Sequence, residues 1–187
     1  RQSFSRPVVE NIEAELVGKL QKSDVLSRIK PGQNVAITAG SRGIANEPLM
    51  IKVLVREIKR AGGIPFVFPA MGSHGGATAE GQKKMLIGLG ISESYIDAPI
   101  KSSMEVVQVG STEKGFPVYV DKYAFEADAI VVINRIKPHV AFRGKYESGL
   151  MKMMTIGIGK QKGADKCHEL GFGLMAENIP AMARIIL

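Results

Sequence analysis

The chain holds three histidines, and each sits in a polar or glycine-rich stretch rather than in a packing pattern. His74 lies in Ala70-Met71-Gly72-Ser73-His74-Gly75-Gly76. His139 ends Arg135-Ile136-Lys137-Pro138-His139, and His168 ends Gly163-Ala164-Asp165-Lys166-Cys167-His168. Imidazole is the side chain best matched to proton transfer near neutral pH, and it is the commonest metal ligand. A lysine, Lys152, lies between the last two, flanked by Met151, Met153 and Met154 and followed by Gly157, Gly159 and Gly163. A lysine among apolar neighbours sheds its proton more readily and can serve as a nucleophile or covalent tether. The plainer alternative, a core segment with a snorkelling lysine, is favoured by composition alone. The three glycines argue against a regular helix and for backbone that approaches something closely.

The surroundings of each group refine this. Arg135, Lys137, Arg143 and Lys145 place positive charge around His139. That disfavours the imidazolium and leaves a neutral ring able to accept a proton. The Gly72 to Gly76 loop is expected to enter a helix, whose first-turn N–H groups attract anions. It is neither GxGxxG nor a P-loop, and a tight turn explains its glycines equally well, but a turn has no need of a histidine. Arg42, in Ala39-Gly40-Ser41-Arg42-Gly43, could grip a carboxylate or phosphate with two N–H groups. Cys167 beside His168 does not make a zinc site, which needs four ligands at recognisable spacings, and HExxH is absent.

These groups must be positioned by elements that the hydrophobic pattern predicts. A helix is expected over Pro7 to Leu20, from Val9, Ile12, Leu16 and Leu20. Pro31-Gly32 is a turn and Asn34 to Thr38 a buried strand. Asn46 is expected to cap a helix that Gly62-Gly63 ends. Ile64 to Pro69 is the second strand, and Thr78 caps a helix through Leu89. Short strands follow at Glu105 to Val109 and Pro117 to Asp121. Ala129 to Ile133 is the clearest strand, a continuous apolar run suited to burial on both faces. Helices are expected at Ala164 to Leu170 and Ala176 to Leu187. The alternation predicts a single α/β domain over residues 1–187, Rossmann-like, with a mostly parallel sheet flanked by helices. In such sheets ligands bind beyond the carboxyl ends of the strands, which places Arg42, His74 and His139 on one rim.

Composition bounds the rest. The 187 residues allow one good core. No apolar run approaches a membrane span, the start lacks a signal-peptide core, and the single cysteine suits a reducing compartment, so a cytoplasmic address is expected. The chain begins without methionine and stops inside an apolar periodic stretch, so a piece of a longer protein is expected. The net charge of +7 favours anionic partners, although a solvated basic surface accounts for most of the excess. Nucleic acid is set aside: the basic residues are scattered, aromatics are 6%, and no helix-turn-helix, zinc-finger or RNP pattern occurs.

Taken in order, Gly72-Ser73-His74, Pro138-His139, Ser148-Gly149-Leu150-Met151-Lys152 and a histidine sixteen positions beyond that lysine resemble the N-terminal domain of the nickel-dependent lactate racemase family, over Asn34 to His168. The resemblance implies a nickel-pincer nucleotide, a pyridinium mononucleotide carrying nickel through carbon and sulfur. Lys152 would be its covalent tether, His168 the protein ligand to nickel, and Gly72, Ser73 and Gly75 would lie beside it. His74 and His139 would be an acid/base pair on opposite sides of the substrate, with Arg42 holding that substrate. The implied activity is racemisation or epimerisation of a small anionic 2-hydroxy acid by proton-coupled hydride transfer. The implied partners are the enzymes that make the cofactor, and the family's second domain, which completes the pocket, is not in this chain. Departures from the racemase are Ala39 and Lys137 in place of acidic residues, Leu150 and Met151 in place of a glycine and an arginine, and extra material at Arg143-Gly144-Lys145-Tyr146-Glu147. They imply a 2-hydroxy acid other than lactate. The alternative is a non-catalytic nucleotide- or anion-binding domain of the same fold.

Overall fold

The computed structural model describes Phe4, residues 7–169 and residues 171–187. Its centre is β1 (Asn34–Ala39), in which Val35 to Ala39 are wholly excluded from solvent. A strand buried on both faces needs a neighbour on each edge and a cover on each side. β2 (Ile64–Pro69) supplies one neighbour, pairing parallel from Asn34↔Ile64 to Ala39↔Pro69. β5 (Ala129–Val131) supplies the other, parallel to Val35–Ile37. The sheet order is β2-β1-β5.

The two-residue alternation of the strands sorts their side chains between two covers. Val35, Ile37, Ala39 and Val67 pack with Leu20 of α1 (Ile12–Lys22), Ile51 and Ile58 of α2 (Glu47–Arg60), Leu86 of α3 (Ala79–Gly88) and Ile96 of α4 (Glu93–Ile96). Ala36, Phe66 and Phe68 face the other way, onto Met153, Met154, Ile158 and Ala183. Each fully buried Ile or Phe contributes about 1.5–3 kcal/mol of transfer free energy, so removing either cover would be costly.

Several expectations are corrected here. The clearest predicted strand, Ala129 to Ile133, is an edge strand of three half-buried residues, and β1 takes the central role. Beyond Val131 the backbones part, and the Thr38 hydroxyl bridges the gap: it accepts from Ile133 N–H at 2.9 Å and lies 3.3 Å from Ile133 O. The strands at Glu105 and Pro117 exist as β3 (Val106–Ser111) and β4 (Pro117–Asp121), but they form a separate antiparallel pair. The parallel sheet therefore has three strands. α1 begins at Ile12, later than expected, because Asn11 caps it by accepting from Ala14 N–H at 2.9 Å. Asn46 caps nothing: it is in the left-handed region, and its side chain makes no capping bond.

After the hairpin and α5 (Lys122–Phe125), one helical stretch crosses the molecule. α6 (Leu150–Lys152) runs into a π-helical turn, Met153–Ile158, and then into α7 (Lys160–His168). The glycines here interrupt helical regularity without ending the helix. A Cβ on Gly157 would lie 2.6 Å from the Ala70 carbonyl oxygen, so the expected close approach is to the end of β2. α7 starts four residues before the expected Ala164, whose expected end, Leu170, lies outside the described residues. α8 (Met175–Ile186) closes the second cover. Among the described residues no helix is long and apolar enough to cross a membrane.

Candidate functional site

Because β1, β2 and β5 are parallel, their carboxyl ends open on one edge. The loops that leave them and the helical stretch from Leu150 to His168 enclose a cleft of about 550 Å³. Arg42, Ser73, His74, His139, Lys152 and His168 all line it, so the three imidazoles, the amine and the guanidinium that the sequence singled out converge. The other charged side chains in the wall are Arg135 and Lys137, and no carboxylate lines it among the described residues. Such a wall favours an anionic ligand.

His74 stands at the rim. Its Nδ1 is hydrogen-bonded to the Ser41 hydroxyl, which leaves Nε2 for a ligand. Partial desolvation, then the positive charges of Arg42 and Lys152, hold its pKa below the ordinary histidine value. Ser41 was missed in the sequence, where a serine beside a loop arginine carries no signal of its own.

His139 is buried and held by its own loop. Its N–H donates to Glu147 Oε2 at 2.7 Å, and Arg143 donates to its carbonyl oxygen at 2.5 Å. Glu147 also accepts from Gly144 N–H at 3.2 Å, and the Phe142 ring lies 4.4 Å from the imidazole. The segment read as extra material, Arg143 to Glu147, is thus a clasp around His139. The expected lowering of its pKa is present, but burial is the main cause, followed by Lys152 and Lys137. Arg143 instead serves the backbone.

Lys152 lies against this ring. Ala141 N–H donates to His139 Nδ1 at 3.2 Å, and the other ring nitrogen, Nε2, lies 3.0 Å from Lys152 Nζ. Burial, then Lys137 and Arg42, lower the Lys152 pKa. The amine reaches the cleft beside His139.

Gly72 and Gly75 do not line the cleft; they shape the loop. Gly75 has φ +66, and a Cβ there would lie 2.7 Å from Gln82 N. Part of the expected anion cradle at the helix start is taken up within the loop. Thr78 Oγ1 accepts from Gly81 N–H at 3.1 Å, and the amides of His74 and Ala77 close turns onto Met71 and Ser73. The Arg42 loop has an unforeseen anchor in buried Glu47, whose carboxylate accepts from the N–H groups of Gly40 and Ile44, both at 3.3 Å. Burial raises the Glu47 pKa.

Among the described residues no group of three or more His, Cys, Asp or Glu side chains could hold a metal ion. A metal held in this cleft would take fewer than three of these donors from the protein and its other ligands from elsewhere. The Lys152 amine, the cationic wall and His168 are compatible with an anionic carrier that brings the remaining ligands.

A three-stranded parallel sheet with a basic cleft at its carboxyl edge is an α/β ligand-binding architecture. The sequence model of the lactate racemase N-terminal domain matches residues 3–178 of the 187, so the chain belongs to that family. No curated protein matches it.

Proposed function

We propose that this chain is the cofactor-binding half of an isomerase that racemises or epimerises a small anionic 2-hydroxy acid with a nickel-pincer nucleotide. Membership of the lactate racemase family supports the reaction class. The observation that carries the reading is the Lys152 amine 3.0 Å from His139, in a cleft that His74 and His168 also line.

When bound, the nickel-pincer nucleotide supplies the acceptor for the hydrogen on the substrate Cα. The protein's part is binding and proton management. Lys152 is the tether, since a lysine whose pKa is lowered by burial sheds its proton more readily and becomes a nucleophile. His168 provides the protein donor. Arg42 grips the substrate carboxylate, and Lys137 and Arg135 balance further negative charge. Inversion requires the Cα hydrogen to return to the opposite face of a planar ketone; the ketone turns over, so its oxygen loses a proton to one base and regains one from the other. His74 and His139 stand on different loops, and desolvation and nearby cations favour the neutral ring in both. Either can take the hydroxyl proton, and the ring that gives one back must first have gained it from solvent. Ser73, which lines the cleft, would lie beside the bound cofactor.

The test is intact mass after co-expression with the cofactor-making enzymes, combined with exchange of the Cα hydrogen of 2-hydroxy acids. An adduct lost in Lys152→Ala, with exchange when a domain completing the pocket is present, supports the proposal. An adduct without exchange of any 2-hydroxy acid makes the chain a nucleotide-binding domain. No adduct at all overturns the tether.

A further inference from the structure

We infer that Gln82, anchored by the buried Lys160–Asp121 pair, is the positioning residue for His74. Gln82, Lys160 and Asp121 come from α3, α7 and β4, and all three are fully buried. The Gln82 amide donates to Gly72 O at 2.8 Å and to His74 O at 3.1 Å. Its Oε1 accepts from Lys160 Nζ at 3.0 Å. A flipped amide would turn its N–H groups onto the Lys160 ammonium, so the lysine decides which end of Gln82 faces the loop.

Lys160 Nζ also donates to Pro69 O at 2.5 Å, at the last residue of β2, and lies 3.1 Å from Asp121 Oδ2. The Oδ2 contact lacks hydrogen-bond geometry and is an ion pair, while Oδ1 accepts from Ala124 N–H at 3.2 Å. Three carbonyls along the stretch from β2 to the imidazole, those of Pro69, Gly72 and His74, are therefore gripped by one buried network.

The choice of lysine is unfavourable on two counts. Its charge is wholly removed from water, where an apolar residue of similar size often serves stability as well or better. Its φ of +55° is a left-handed conformation that disfavours any residue with a Cβ. Neither cost is needed to fill the core. What the lysine adds is a defined place for the loop, with His74 set against Ser41.

This inference rests on the reading of His74 as a working base, so its test is read without catalysis. Hydrogen exchange of the isolated domain is followed in Gln82→Met and in Gln82→Glu, the latter keeping an acceptor for Lys160 but no donor for the loop. The Gly72, His74 and Ala77 amides, bonded to Gly157, Met71 and Ser73, should exchange about tenfold faster or more in both variants. The β1 amides should not change. In the cofactor-loaded enzyme kcat falls while KM holds. Unchanged exchange at the loop overturns the inference. So does exchange raised uniformly across the sheet, or an unfolded chain in both variants, because the network would then be a stabiliser of the fold. A loosened loop in an enzyme whose parent shows no turnover sinks only the role given to His74.

Discussion

His74 and His139 face one cleft from loops held by different means. The His74 loop leaves a strand paired along its whole length and is gripped from beneath by fully buried side chains on three other elements. The His139 loop leaves an edge strand of three residues and is held by its own members, Arg143 and Glu147, in half-open surroundings. One base borrows its position from the core; the other is held mainly by hydrogen bonds within about eight residues of sequence, with Lys152 and the Phe142 ring linking it to the helical stretch. Perturbing the core should thus move His74 with the fold, whereas the His139 loop can open by itself. Local openings of that kind are common where ligands enter.

Lys152 acts electrostatically on both histidines, so removing it is the largest break in the comparison. Lys152→Ala should abolish the covalent adduct in intact mass and reduce turnover of the loaded enzyme to background. Next, Phe142→Ala removes the ring beside His139 from a cluster with Cys167, Met175 and Ile179. It should cost about 3 kcal/mol in urea unfolding, the usual range for a buried phenylalanine. It should also speed exchange at the His139 amide more than at His74.

Acid should inactivate through both loops. The two imidazoles have pKa values below 6.5, so they are unprotonated at neutral pH and gain protons only as the pH falls. kcat/KM should stay level through neutrality and drop about tenfold per pH unit below a midpoint under 6.5. The same shifts act on stability. The unfolded chain takes up these protons first, so stability falls as the pH drops from 6.5 toward the folded values.

The smallest effect sharpens the contrast. Glu147→Gln keeps the shape of the clasp and removes its charge. Exchange at the His139 and Gly144 amides should rise by about tenfold or less, with the Gly72 and His74 amides unchanged. In the parent the N–H of His139, above all, holds the Glu147 pKa below its ordinary 4.5. Its contribution is present above pH 4.5 and lost as the pH falls through the lowered value, so protection of the His139 amide should decay there. Glu147→Gln should lack that decay.

The sheet and its working edge were legible because apolar runs bounded by glycine loops leave a direct mark in sequence: β1, β2, β3 and β4 lie where expected, and Arg42, His74 and His139 share one rim. β5 was overestimated because an apolar run does not reveal whether both of its faces will be covered. The supports of the site were less legible. Gln82 and Lys160 lie 78 positions apart, and each looks like an ordinary surface residue of a helix. Their burial depends on α7 packing against β4 and reaching the end of β2 with the Lys160 side chain, which no local pattern encodes. Glu147 was visible but was read as inserted material, since its partner is a backbone N–H rather than a complementary side chain.

The wide turn at Met153–Ile158 has a consequence for the whole cleft. Residues sixteen apart on an ideal α-helix point about 160° away from each other, so Lys152 and His168 would look in nearly opposite directions along a uniform winding. The π turn and the left-handed Lys160 reset that phase, and both side chains reach the same cleft. The segment works like an indexing gear between two stretches of helix. Deleting a single residue from it would swing Lys152 by about 100° relative to α7. The amine would be disengaged although every chemically active side chain remained in the chain.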